Sequence, residues 1–225
     1  MYKFFVDKKI NQEYFELNDE ILKHLKVIRI GKNEKILCNY ENEFYECVIE
    51  NNKAKIITKT SINNEYQGSV ILGLPIIKIK NFELVIQKAT ELGVSHIVPI
   101  LFDFSDSSLK KYVDSKTDRL CSIAKGAAEQ SFRNKIPTIY KSMKLNEFIK
   151  EFSNIENKYF VYENANEQNV KSLKQNCLIL VGPEGGFSQQ EIKNIEQNSF
   201  ITISLGKRIL RSETACIAAL SRIFD

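Results

Sequence analysis

The chain has 225 residues, 43% hydrophobic and 27% charged, with 32 Lys and Arg against 28 Asp and Glu and a formal net charge of +4. These proportions exclude a disordered or collagen-like chain, and the mild basicity suits an RNA partner without demanding one. No apolar run approaches the roughly 18 residues that cross a bilayer, and Asp7, Lys8 and Lys9 interrupt the stretch where a signal peptide needs its apolar core, so a cytoplasmic protein with no membrane partner is expected.

The first 65 or so residues read as β-rich. Phe4-Phe5-Val6, Lys35 to Cys38, Glu43 to Glu50 and Lys53 to Lys59 are short runs of β-branched and aromatic residues. Gly31-Lys32-Asn33, Glu41-Asn42 and Asn51-Asn52 separate them as turns, a hairpin pattern. Between the first two runs, Ile21, Leu22, Leu25 and Ile28 recur at helical spacing over Asn18 to Arg29. Asn63 to Gly68 forms the boundary, giving domains 1–67 and 68–225.

From Ser69 the pattern changes. Val70 to Leu74 is a continuous apolar run, as a strand buried on both faces requires. Asn81 to Leu92 is a helix closed by Gly93, Val94 to Ile100 a strand, Asp114 to Gln130 one long helix, Ile136 to Tyr140 a strand and Leu145 to Phe152 a helix. Tyr159 to Tyr162 and Cys177 to Val181 are further strands. Ser188 to Asn198 is a helix with a Ser188/Glu191 capping box. Phe200 to Leu205 and Ser212 to Phe224 complete a strand and a last helix. Such alternation predicts an α/β domain with a mostly parallel sheet covered on both faces. The five cysteines (Cys38, Cys47, Cys121, Cys177, Cys216) form no CxxC, and His24 and His96 are the two histidines. No metal is therefore expected, the thiols read as reduced and mostly buried, and His96 reads as a satisfied buried histidine.

Two segments concentrate chemistry. The first, Leu178 to Phe187, runs from an apolar strand into Gly182, Pro183, Glu184, Gly185 and Gly186. Glycines there let backbone approach a ligand at the carboxyl edge of an α/β sheet, or simply make a tight turn. The second, Ile203 to Ala215, ends a strand at Gly206, passes Lys207, Arg208 and Arg211, and opens a helix with Ser212-Glu213-Thr214. Hydroxyls and a carboxylate in a first turn also satisfy capping and the helix dipole.

In this order GPEGGF and LGKRILRSETA resemble the RsmE-type branch of the SPOUT methyltransferases. FELVIQKATELG (Phe82 to Gly93), AKGAAEQSFRNKIP (Ala124 to Pro137) and HLKVIR (His24 to Arg29, with Ile28 where the family has leucine) extend the likeness over nearly the whole chain. The resemblance implies a small PUA-like β-barrel ahead of a SPOUT domain with a deep trefoil knot, a homodimer, and methylation of uracil N3 in 16S rRNA within the 30S subunit. It implies S-adenosylmethionine as cofactor, held by Tyr162-Glu163-Asn164, by Gly182, Pro183, Glu184, Gly185 and Gly186, and by Leu205, Gly206, Leu210 and Thr214.

Within that frame Arg211 is the candidate stabiliser of negative charge on the base. Glu213 is a candidate proton acceptor or a first-turn carboxylate. Arg133 is a candidate phosphate or base contact, or half of a surface salt bridge. Lys23, His24, Lys26 and Arg29, with Lys32 and Lys35 nearby, form a basic cluster suited to RNA phosphates. Two alternatives stand beside this: a SPOUT enzyme acting on ribose 2′-oxygen, and a catalytically silent RNA-binding assembly factor. The first usually carries an Asn-rich motif in place of LRSETA, and the second has no need of a cofactor cavity.

Overall fold

The computed structural model describes residues 1–31, 34–163 and 171–223, so Lys32, Asn33, Asn164 and Phe224 lie outside the described residues. The chain divides into two compact units, Met1–Glu65 with Ala128–Lys135, and Tyr66–Ala127 with Ile136–Asp225.

The first unit holds β1 (Lys3–Phe5), β2 (Tyr14–Glu16), α1 (Asp19–Val27), β3 (Lys35–Tyr40), β4 (Glu43–Glu50) and β5 (Lys53–Lys59). Its sheet runs in the order β1-β3-β4-β5-β2; β1 is parallel to β3 and the other pairs are antiparallel. Both hairpins turn on two residues with positive φ, Glu41 and Asn42, then Asn51 and Asn52. That geometry matches the twist of the flanking strands, and asparagine tolerates it well. Phe4, Phe15, Ile36, Cys38 and Cys47 fill the core. Asn18 caps α1 by accepting from the Ile21 N–H at 2.9 Å, and Ile21 and Leu25 turn inward. Lys23, His24, Lys26 and Arg29 stay exposed.

Residues 128–135 belong to this first unit, which the linear pattern does not foretell. Glu65 accepts from Arg133 Nε and Nη2 at 2.8 and 2.7 Å and from the N–H groups of Asn134 and Lys135. The Asn134 side chain donates to the carbonyls of Asn42 and Ile62 and accepts from the Asn64 N–H. Glu129 accepts from the Phe5 N–H, and Lys3 Nζ sits 3.4 Å from the Phe132 ring centroid. Arg133 is expected either on a phosphate or the target base or in a surface salt bridge. The structure shows an ion pair, with Glu65, but a buried one: the side chain is 3% exposed, so it serves the fold of this unit instead of meeting RNA.

The second unit holds β6 (Val70–Pro75), α2 (Ile79–Glu91), β7 (His96–Leu101), α3 (Ser107–Ser115), α4 (Thr117–Gln130, its last turn grouped with the first unit), β8 (Thr138–Ile139), β9 (Met143–Lys144), α5 (Leu145–Glu151), β10 (Asn157–Val161), β11 (Cys177–Val181), α6 (Gln189–Gln197), β12 (Ile201–Ile203) and α7 (Ser212–Leu220). Its sheet is parallel, ordered β12-β10-β11-β6-β7-β8, with β9 also paired to β7. Strand alternation sends Leu72, Leu74 and Ile179 into one core with α2 and α7. It sends Ile71, Leu178 and Leu180 into a second core with α5 and α6. That double burial is why β6 and β11 read as unbroken apolar runs. The single helix expected over Asp114 to Gln130 is instead α3 and α4, broken at Lys116. Asp114 is drawn to the Ser142 N–H and hydroxyl at 3.0 and 2.9 Å, which fixes the end of α3. His96 is half-buried, its Nδ1 is 2.9 Å from Ser95 Oγ, and burial lowers its pKa.

Burial works to raise the Glu65 pKa, but hydrogen bonds and charge from Arg133, with the Lys135 and Asn134 N–H groups, outweigh it and hold the carboxyl below its usual range. Arg133→Ala strands this buried carboxylate, and urea unfolding should show a loss of about 3–5 kcal/mol. The stability from Glu65 is full above its unfolded pKa of about 4.3 and is lost as pH falls through the lower folded value. The pH dependence of unfolding should therefore flatten in the variant over that acidic window.

Candidate active site

Because the second sheet is parallel, β6, β7, β10, β11 and β12 end on one edge, where open α/β sheets bind ligands. A cavity of about 460 Å³ lies there, lined by residues following β10 (Tyr162, Glu163), β11 (Gly182 to Glu184, Gly186, Phe187) and β12 (Ser204 to Gly206, Arg208 to Ser212), with Lys78 ahead of α2. The loops are joined directly: Ser212, 6% exposed, donates its hydroxyl to the Gly182 carbonyl at 2.8 Å. The start of α7 is thus anchored to the end of β11.

Local chemistry shapes each loop. A Cβ at Gly182 would stand 2.3 Å from Phe187 Cε2, and the Phe187 ring is itself held edge-on to Phe160 and Phe102 at 4.7 and 5.2 Å. The loop turns through a Gly186 N–H bond to the Pro183 carbonyl at 3.0 Å. Gly206 adopts φ +118, a backbone state that glycine permits, and its N–H reaches Ser204 Oγ at 3.2 Å. Tyr162 stacks on Phe160 at 5.2 Å, and its N–H donates to the Ile203 carbonyl.

Tyr162, Glu163, Gly182, Pro183, Glu184, Gly186, Leu205, Gly206, Leu210 and Arg211 all line this cavity. Besides Arg133, three expected residues are not among its lining. Gly185 turns its Cβ direction toward Phe104, whose own Cβ would lie 3.1 Å away, so a side chain there meets Phe104 before any ligand. Thr214 is exposed in the first turn of α7. Glu213 faces α2: Asn81 Nδ2 donates to its Oε1 at 3.0 Å, and its Oε2 is buried with no hydrogen-bond partner among the described residues. Pattern reading missed Lys78, Ser204 and Phe187. Lys78 is over 80 residues from the nearest other lining residue, and no linear signal joins it to them.

The cavity offers the cations of Lys78, Arg208 and Arg211, the carboxylates of Glu163 and Glu184, and apolar walls from Val161, Val181, Leu205 and Leu210. It suits a zwitterionic ligand with an apolar planar part.

Comparisons with known proteins agree with this geometry. The RNA methyltransferase domain family matches residues 64–224. The ribosomal RNA small subunit methyltransferase E of Mesomycoplasma hyopneumoniae is 42% identical over 225 residues, covering 99% of this chain and 98% of the relative. That of Bacillus subtilis is 31% identical, covering 93% and 89%. The Neisseria gonorrhoeae ribosomal RNA small subunit methyltransferase E, crystallised with S-adenosylmethionine, superposes with a TM-score of 0.83 at 26% identity, covering 98% and 95%.

Gly182→Ala forces Phe187 out of its aromatic cluster and should cost about 1–3 kcal/mol, as overpacking does. Gly185→Ala, whose nearest contact is 3.1 Å, should cost under about 1 kcal/mol. Thermal denaturation of the two variants checks that order.

Proposed function

The chain belongs to the RNA methyltransferase family, and from that premise we propose that it uses S-adenosylmethionine to methylate N3 of a uracil base in the 16S RNA of the small ribosomal subunit. The observation that carries the reading is one cavity, bounded by two glycine-ended strand loops, with Arg211 at its wall. The relatives' names support the small-subunit RNA as substrate. The choice of uracil N3 rests on the likeness of GPEGGF and LGKRILRSETA to the RsmE type.

The residues present fit this cofactor. The cavity volume is in the range of small-molecule sites, and the apolar walls suit an adenine ring. Glu163 and Glu184 can accept from ribose hydroxyls or an ammonium group. The cofactor supplies an electrophilic methyl group on a positive sulfonium. Arg211 cannot favour that cation in the ground state, but its guanidinium favours the uracil anion as N3 loses its proton, which is selective stabilisation of the transition state. Glu213, turned toward α2, holds the first turn of α7 against Asn81 instead of taking that proton.

The chain path supports a trefoil knot in this unit. β12 lies on the far side of β10 from β11, and the chain then returns to α7, which packs on β11 and β6. The β-rich first unit is read as PUA-like, with Lys23, His24, Lys26 and Arg29 meeting RNA phosphates. Cytoplasmic location and action on the 30S particle follow from the substrate. A homodimer is what the likeness of GPEGGF and LGKRILRSETA to the RsmE type implies. Light scattering at micromolar concentration should give twice the chain mass, and a monomeric mass removes this part of the reading.

Radiolabelled S-adenosylmethionine should pass its methyl to small subunits from cells lacking the enzyme, with N3-methyluridine recovered from the digest. A different methylated nucleoside overturns the assignment. Arg211→Ala should lower single-turnover transfer by about a hundredfold or more while calorimetric affinity for the cofactor changes little, and raised pH should partly restore the rate.

A further inference from the structure

β7 delivers the chain to a short loop at the same sheet edge as the cavity. That loop presents Phe104, which at 58% exposure is the most exposed phenylalanine or tyrosine among the described residues. An aromatic ring in water forgoes burial that it would gain against almost any flat apolar surface. Tyr2 and Phe132 are the other exposed rings in the described chain, and Phe132 is covered by Lys3 Nζ at 3.4 Å. Among the described residues, no ring or cation packs on Phe104 in this way.

The ring is not exposed through a slack loop. The Phe102 N–H donates to Ser105 Oγ at 3.0 Å, closing the turn. The Asp103 N–H donates to Oε1 of Glu191, a carboxylate 7% exposed. Asp103 Oδ2 accepts from Ser188 Oγ at 2.6 Å, and Glu191 and Ser188 also form the capping box of α6. The loop is therefore closed on itself across Phe104 by the Phe102–Ser105 bond and pinned through Asp103 to the start of the helix that follows the glycine loop. At that loop, the position of a Gly185 Cβ lies 3.1 Å from Phe104 Cβ and 3.3 Å from its carbonyl oxygen. Gly185 is flanked by Glu184 and Gly186, both of which line the cavity. Phe104 thus stands beside the cavity wall and outside the cavity.

We propose that Phe104 is a positioning residue for the RNA: its ring stacks on an unpaired base of the substrate and holds the strand at the mouth of the cavity. The inference rests on the methyltransferase reading and adds to it how the strand is held. Charge selects a base over a phosphate as the occupant. Asp103 and Asp106 flank Phe104 along the chain, and Asp106 is committed to capping α3 through the Ser108 N–H. Two carboxylates repel a phosphate, whereas a base offers a neutral face that stacks on any aromatic ring. Sequence-specific binding of RNA favours unpaired bases stacked in this way. Lys207 and Arg208, exposed cations that suit phosphates, stand on the other loop, after β12.

The chain contains no tryptophan, so Phe104→Trp places a single reporter at the site. Its emission should change on titration with small-subunit RNA and stay unchanged with S-adenosylhomocysteine. In steady-state transfer to small subunits, Phe104→Ala and Phe104→Leu should raise KM for the particle by roughly tenfold, the scale of one stacked base. Cofactor affinity should hold, and Phe104→Tyr should restore KM. Equal KM for wild type and the Ala variant overturns the proposal, as does full rescue by Leu, which would mark simple apolar packing. A Trp signal that follows protein concentration without RNA also overturns it, by showing that a second copy covers the ring. If the wild-type protein transfers no methyl group to RNA, the function reading fails, an outcome separate from these.

Discussion

The bond from the Ser212 hydroxyl to the Gly182 carbonyl is the point on which the site depends. β11 ends just before Gly182 and α7 begins at Ser212, 30 positions on, with α6, β12 and the basic loop between them. One short hydrogen bond closes that excursion and sets the loop after β12 facing the loop after β11. A neutral hydrogen bond of this kind nets only about 0.5–1.5 kcal/mol. Its consequence is larger because Ser212 is buried and the loops carry nearly every residue of the cavity. The Phe187 ring packs from the other side, where Gly182 leaves room for it, and Gly206 supplies the backbone freedom that lets β12 turn back toward α7.

Arg211 and Arg133 show how one side-chain type takes two roles. Arg133 is buried in the first unit, where the two oxygens of Glu65 take Nε and Nη2 of its fork-shaped donor pattern, an arrangement that arginine fits and lysine would not. Arg211 stands at the N-cap of α7, exposed, against a cavity. A guanidinium already paired in a low-dielectric interior cannot turn to a substrate without stranding its carboxylate. One at a solvated wall can do so at little cost.

Much of this was legible in the chain. β4, β5 and β11 fall on the expected residues because hairpin turns and double-sided burial leave strong local marks, as does the Ser188/Glu191 capping box. Both cavity loops were legible as glycines after apolar strands. What was not legible depends on tertiary partners. β2 is three residues long and exists because β5 pairs with it. The break at Lys116 depends on Ser142 reaching Asp114. The Arg133 segment looked like chemistry because polar residues at fixed spacing mark a buried network as readily as a site. Gly185 and Glu213 sit in the right motifs but turn away from the cavity, and direction is what spacing alone cannot give. Lys78, Ser212 as a tie and Phe104 as an exposed ring emerge only once the strands are side by side.

Calorimetric titration of S-adenosylmethionine into the full chain and into Ser212→Ala is the most direct measurement. If the tie between Ser212 and Gly182 forms the cofactor cradle, the wild-type protein binds and the variant, with unchanged circular dichroism, binds several-fold to about tenfold more weakly. Equal affinity in the two proteins, or no binding to the wild type, would contradict it.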